Sequence, residues 1–147
     1  MKNADIDRKL TGAEKRALLR IARASIEAEL DGKKRPGPAG KGLLEEKRGA
    51  FVSLKKRGKL RGCIGFIEPR KPLARTVEEM AVASAFQDPR FPPLRKDELQ
   101  DLKVEISVLT PLRRVADAGE IEVGAHGLYI RRGGRAGLLL PQVATEW

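Results

Sequence analysis

From Leu102 to Leu109 the chain alternates cleanly. Leu102, Val104, Ile106 and Val108 fall on one side, and Lys103, Glu105 and Ser107 on the other. A period of two is the signature of a strand with one face in a core and the other toward water. Such a strand needs neighbours in a sheet and a layer over its apolar face. The layer is visible upstream. Thr11-Gly12-Ala13-Glu14 reads as a capping box, with Thr11 as N-cap and Glu14 reaching back. Behind it Ala17/Leu18, Ile21, Ser25 and Ala28 recur at helical spacing, and Gly32 signals the helix end after Leu30. The spacing predicts a helix that covers one side of a sheet, so the expected class is α+β.

The remaining segments extend that layout. Asp31 to Gly42 reads as a loop with four glycines and two prolines. Its Gly37-Pro38-Ala39-Gly40-Lys41 is not a phosphate-binding loop, because no Ser or Thr follows the lysine and the prolines remove backbone donors. Ala50–Leu54 and Leu60–Ile67 read as strands joined by a glycine-containing turn at Lys55–Lys59. Pro72 opens a second helix. Three prolines in Asp88-Pro89-Arg90-Phe91-Pro92-Pro93 forbid helix there, and a short helical turn follows at Lys96–Leu99. Ile121–Val123, Leu128–Arg132 and Ala136–Leu140 read as further strands, and Pro141 starts a last helix. No linker is long enough to separate independent domains. The expected organisation is one domain over 1–147, with a helix and loop over 1–49 and an α+β body over 50–147.

Charge narrows the classes of function. The chain has 30 Lys and Arg against 20 Asp and Glu, a net charge of +10. The excess lies before residue 76, and such a region attracts anions: a small anionic substrate, nucleic acid or an acidic partner. Aromatic residues are only 4%, which leaves few platforms for stacking single-stranded bases. No apolar run approaches the ~18 residues of a membrane span, so no membrane association is expected. Met1–Asp7 has no apolar core of a secretory signal. One cysteine excludes a disulfide framework within the chain, and a cytoplasmic location fits.

Chemistry-bearing residues concentrate in the middle. Along Leu60–Ile67, strict alternation sends Leu60, Gly62, Ile64 and Phe66 into the core and Arg61, Cys63, Gly65 and Ile67 to the other face. Arg61 and Cys63 then become same-face neighbours, and a guanidinium beside a thiol favours its nucleophilic form. The alternative is a structural cysteine whose arginine pairs elsewhere. Gly62 and Gly65 weaken a strand unless a close approach requires them, so they are candidates for ligand contact. His126, the only histidine, is a candidate base for Cys63, and Glu105 a candidate acid/base group; a polar surface role is the alternative for each. Asp88 and Arg90, in the proline-bracketed loop, suit ligand contact or a structural ion pair. One Cys and one His do not make a closed zinc site, so neither metal nor cofactor is expected.

The string Leu60-Arg61-Gly62-Cys63-Ile64-Gly65 resembles the signature of the AMMECR domain family, whose prokaryotic members are called system protein A of the AmmeMemoRadiSam set. The resemblance runs in order through Gly49–Leu54, Asp88–Pro93, Val104–Leu109, His126–Leu128 and Leu139–Ala144. It implies two β-rich, helix-bearing repeats sharing one curved, barrel-like sheet. It further implies a cleft lined by the Arg61–Cys63 strand with pieces of the Asp88–Arg90 and His126 segments. Association with a Memo-like protein and a radical S-adenosylmethionine enzyme follows from the same resemblance. The family continues past the position of Trp147, so a C-terminally truncated chain with an incomplete second repeat is expected. The function expected on this basis is a cysteine-bearing catalytic or accessory subunit of a modification pathway. The alternative is a non-catalytic module that binds nucleic acid or a partner protein through a basic cleft.

Overall fold

The structure, a computed structural model, describes residues 9–35, 37 and 40–145. The N-terminal residues read above for a signal, sections of the glycine–proline loop and Trp147 lie outside the described residues. Two compact units are present, one running to Pro111 and the other from Leu112 onward.

In the first unit, α1 (Gly12–Leu30) starts at the expected capping box. The Thr11 hydroxyl accepts from the Glu14 N–H at 3.1 Å and the Glu14 carboxylate accepts from the Thr11 N–H at 3.0 Å. It ends where Gly32 takes φ +65°, a conformation that a residue with a Cβ rarely adopts. Strands β1 (Ala50–Lys56), β2 (Lys59–Phe66) and β3 (Leu102–Val108) form an antiparallel sheet in the order β2-β1-β3. Helix α2 (Leu73–Phe86) follows Pro72 and packs with α1 on one face of that sheet. Leu18, Ala22 and Ile26 from α1, Leu73 and Val77 from α2, and Val52 and Leu54 from β1 make the core. Val104, Ile106 and Val108 pack against it, so the alternation of β3 reports its buried face.

In the second unit β4 (Leu128–Arg132) pairs with β5 (Arg135–Leu139) as an antiparallel ribbon, followed by the short α3 (Pro141–Thr145). Two expectations are corrected here. The strands divide between a three-stranded and a two-stranded sheet, and no closed barrel forms among the described residues. Ile121–Val123 is not a strand. Gly124 takes φ +87°, and the N–H groups of Ala125 and His126 both reach the Glu122 carbonyl, which closes a turn. Three residues flanked by Gly119 and Gly124 are too short a run to hold a ladder against that turn.

Candidate functional site

The site is set by one irregularity in the β1–β2 hairpin. Near the turn, Lys56 faces Lys59 and Lys55 faces Leu60; beyond it, Leu54 faces Gly62 and Ser53 faces Cys63. Arg61 is the extra residue of a bulge, which re-aims side chains in this way. Residues directly opposite share a face, so the bulge decides which side Cys63 takes. Without it Val52, a core residue, would face Cys63. With it Gly62 and Ile64 lie on the helix side and Cys63 and Gly65 on the open side. Leu60 is corrected accordingly: expected in the core, it faces Lys55 and is exposed. Phe66, also expected in the core, is exposed at the strand end.

The bulge overturns the expected Arg61–Cys63 pair as well. Arg61 is buried, and its Nε and Nη2 each donate at 3.1 Å to one oxygen of Glu98, while Nη2 also donates to the Pro92 carbonyl at 2.8 Å. Lys56 Nζ adds a third cationic contact to Glu98 at 3.1 Å. Arg61 foremost holds the Glu98 carboxyl down to about 2. No hydrogen bond joins Arg61 to Cys63 among the described residues.

The cation beside Cys63 is Arg90. Its Nη2 approaches the Cys63 carbonyl at 3.4 Å, and Arg90 grips the buried Asp88 through Nε at 3.0 Å and Nη2 at 2.8 Å. Asp88 Oδ2 in turn accepts the Cys63 backbone N–H at 3.0 Å. Arg90 first, with the Cys63 and Arg90 N–H groups, holds the Asp88 carboxyl well below the usual carboxylate range against the cost of burial. Asp88 and Arg90 thus occupy the outer edge of β2, where an unpaired strand would otherwise offer its backbone. The Phe91 ring lies 5.9 Å from the Arg61 guanidinium and 5.5 Å from that of Arg90. The proline-rich loop therefore holds both arginines in place.

Because the Cys63 N–H points off β1 toward Asp88, Ser53 and Cys63 form the closer type of cross-strand pair. Their side chains touch: Ser53 Oγ donates to Cys63 Sγ at 3.1 Å. Glu105 faces Ser53 from the other side, so Cys63, Ser53 and Glu105 stand in a row across the open face. Two strand spacings, roughly 10 Å, separate the outer two. Glu105 is half-buried and paired with Lys55 at 3.4 Å and Lys103 at 3.8 Å.

The glycines are filled from within the fold. A Cβ on Gly62 would collide with the Ser84 carbonyl of α2, and one on Gly65 with the Phe51 ring and the Ala50 carbonyl. Ser84 exploits that close approach: its Oγ accepts the Ile64 N–H at 2.9 Å and lies 2.7 Å from the carbonyls of Val52 and Met80. His126 belongs to the second unit, where Nδ1 accepts the Glu122 N–H at 3.0 Å. Among the described residues no group of three or more His, Cys, Asp and Glu is placed to hold a metal ion. No helix among them is long and apolar enough to cross a membrane.

Four of the six motifs that carried the resemblance meet around Cys63 in the first unit, and the family model described as AMMECR1 matches residues 19–147. The chain belongs to the AMMECR1 family. A protein of Methanothermobacter thermautotrophicus is 48% identical over 146 residues, covering 94% of this chain and 76% of its own length. One of Methanopyrus kandleri is 47% identical over 148 residues, covering 94% and 72%. The crystal structure of an uncharacterized protein from Pyrococcus horikoshii superposes with a TM-score of 0.82 at 42% identity, covering 88% of this chain and 70% of that one.

Ser53 touches Cys63, and Glu98, Ser84 and Phe91 touch Arg61, Ile64 and Arg90 around it; none of the four is among the site residues expected from sequence. Ser53 and Phe91 sat inside quoted motifs, and only the bulged register brings Ser53 to the sulfur. Glu98 carried a usable signal, an acid three residues after Arg95 at a helical turn, since it also accepts the Arg95 N–H at 2.8 Å.

Proposed function

We propose that this AMMECR1-family chain uses Cys63 as a nucleophile or covalent carrier in a modification reaction, as a catalytic or accessory subunit. The supporting observation is the Ser53 Oγ–Cys63 Sγ contact on the open sheet face, with the Cys63 backbone pinned from the strand edge by Asp88. The roles follow from geometry. Ser53 orients the sulfur lone pairs, Asp88 fixes the strand position, and Arg90 offers an exposed guanidinium edge to an anionic group bound beside the thiol. Arg61 has no role at the sulfur; with Glu98 it fastens the proline-rich loop to β2. Glu105 shares the face with Cys63 and Ser53, where Lys55 and Lys103 pair with its carboxylate near the substrate side of the thiol's row. A Memo-like protein and a radical S-adenosylmethionine enzyme as partners belong to the same proposal, as does a location in the cytoplasm.

The test is alkylation of the native chain with iodoacetamide, followed by mass spectrometry. A functional thiol reacts stoichiometrically at Cys63 without denaturant, and Ser53→Ala changes its rate several-fold while leaving the melting temperature within a few degrees. A thiol that reacts only after unfolding returns Cys63 to a structural role. Co-purification of the two partner classes with wild type but not with Cys63→Ser would link the thiol to the pathway.

A further inference from the structure

Arg61, Arg75, Arg90 and Arg95 of the first unit each meet a carboxylate, whereas Lys15, Arg16 and Arg20, spread along the exposed side of α1, form no ion pair among the described residues. The β4–β5 ribbon gathers such cations at one turn. Arg132 and Arg135 on one ribbon face and Arg131 on the other flank the Gly133-Gly134 turn, all exposed, and none has an ion-pair partner among the described residues. Arg132 stands directly opposite Arg135, an arrangement of like charges that weakens a strand pair. On the same face Ile130 is 65% exposed and Leu139 40% exposed, and Gly137 opposite Ile130 leaves open space.

We propose that the β4–β5 ribbon docks on duplex DNA, a function separate from the thiol site. The charge calls for an anion from outside, and the residue type narrows it. All three tip cations are arginines, whose planar fork matches phosphate oxygens and the guanine edge in two-point contacts. The shape narrows it further. Two strands about 4.8 Å apart make a ribbon that a B-form major groove, roughly 12 Å wide, admits. The deep, narrow major groove of duplex RNA does not admit it. Ile130 and Leu139 behind the arginines suit apolar contact with thymine methyl groups. An acidic protein surface would satisfy the charge without using this ribbon's width.

Fluorescence anisotropy with a labelled mixed-sequence duplex of ~20 base pairs tests the proposal across roughly 50–300 mM salt. Four versions of the chain are compared: wild type, Arg131→Gln/Arg132→Gln/Arg135→Gln, the same three positions changed to Lys, and Lys15→Gln/Arg16→Gln/Arg20→Gln at exposed positions of α1. The two Gln triples each lose three charges from a net +10, so bulk charge is matched between them. The expected result is that the ribbon variant binds at least about tenfold more weakly at low salt, with a log–log salt slope shallower by roughly 2.7, the value for three phosphate contacts. The α1 variant should lose far less. An Arg→Lys triple in the ribbon keeps the charge and should keep the slope; a loss there too would assign the effect to a misfolded ribbon and overturn the proposal. It is equally overturned by a wild type that does not bind or a ribbon variant that binds like wild type. An α1 variant that loses as much, or poly-glutamate or duplex RNA bound as tightly as the DNA, would also overturn it.

Discussion

Arg61 and Arg132 both stand on antiparallel strands, one in β2 beside β1 and the other in β4 beside β5. Arg61 is buried and shares a carboxylate with Lys56, whereas Arg132 is exposed and faces another arginine. Burial explains the contrast. A guanidinium taken from water needs a partner, because an unpaired buried charge is very costly, while an exposed one is solvated whatever stands opposite. The first unit therefore uses its acids to hold loops and strand edges in register around Cys63. The ribbon of the second unit, among the described residues, leaves its arginines without carboxylate partners, which suits an element whose partner comes from outside.

The contrast can be broken most sharply at Glu98. Glu98→Ala strands Arg61 in the interior, and removing one partner of a buried pair costs about 3–5 kcal/mol. Urea denaturation should show that loss; a change below about 1 kcal/mol, the range of a solvent-exposed pair, would mean Arg61 is solvated or re-paired. Acid provides the next largest effect. Glu98 and Asp88 have folded values below their unfolded ones, so their contribution is fully present above about pH 4.5 and is lost as pH falls toward about 2. Glu98→Gln should flatten that stretch of the stability profile, and a profile identical to wild type would rule the pair out as its source. Gly62→Ala forces a methyl against the Ser84 backbone carbonyl and should cost about 1–3 kcal/mol by overpacking. Thermal melts decide it, and an unchanged melting temperature would show that α2 can move away. The smallest effect belongs to the second unit: Ile130→Thr and Arg132→Gln should each stay within about 0.5 kcal/mol, as exposed substitutions do. A larger loss would show the ribbon face to be covered.

Much of the fold was legible because it follows from local rules. The α1 capping box, the Pro72 helix start and the alternation of β3 each act within a few residues, and each element lies within a residue or two of its expected bounds. The site was legible only as a set of positions. Alternation placed Cys63 opposite Ile64 correctly but paired Arg61 with the thiol, because a one-residue bulge leaves no mark in the composition of Leu60–Ile67. The cation that does reach Cys63 lies 27 residues away in the loop. The contact was foreseeable as a rigid loop near the strand and not as a bond to the cysteine backbone. The spurious strand at Ile121–Val123 came from two β-formers, Ile121 and Val123, read without the glycine turn that follows them.

Asp88 and Arg90, and not Arg61, position Cys63. The direct measurement is the second-order rate of Cys63 alkylation in folded wild type, Arg90→Gln and Arg61→Lys, under conditions where all three are native by circular dichroism. Arg90→Gln should change the rate several-fold and also lower stability, because it leaves the buried Asp88 carboxylate without its cation. Arg61→Lys should lower stability, since lysine cannot reproduce the two-point grip on Glu98, yet leave the native rate within about twofold of wild type. An Arg61 variant with a strongly altered rate, beside an Arg90 variant indistinguishable from wild type, would reverse the assignment.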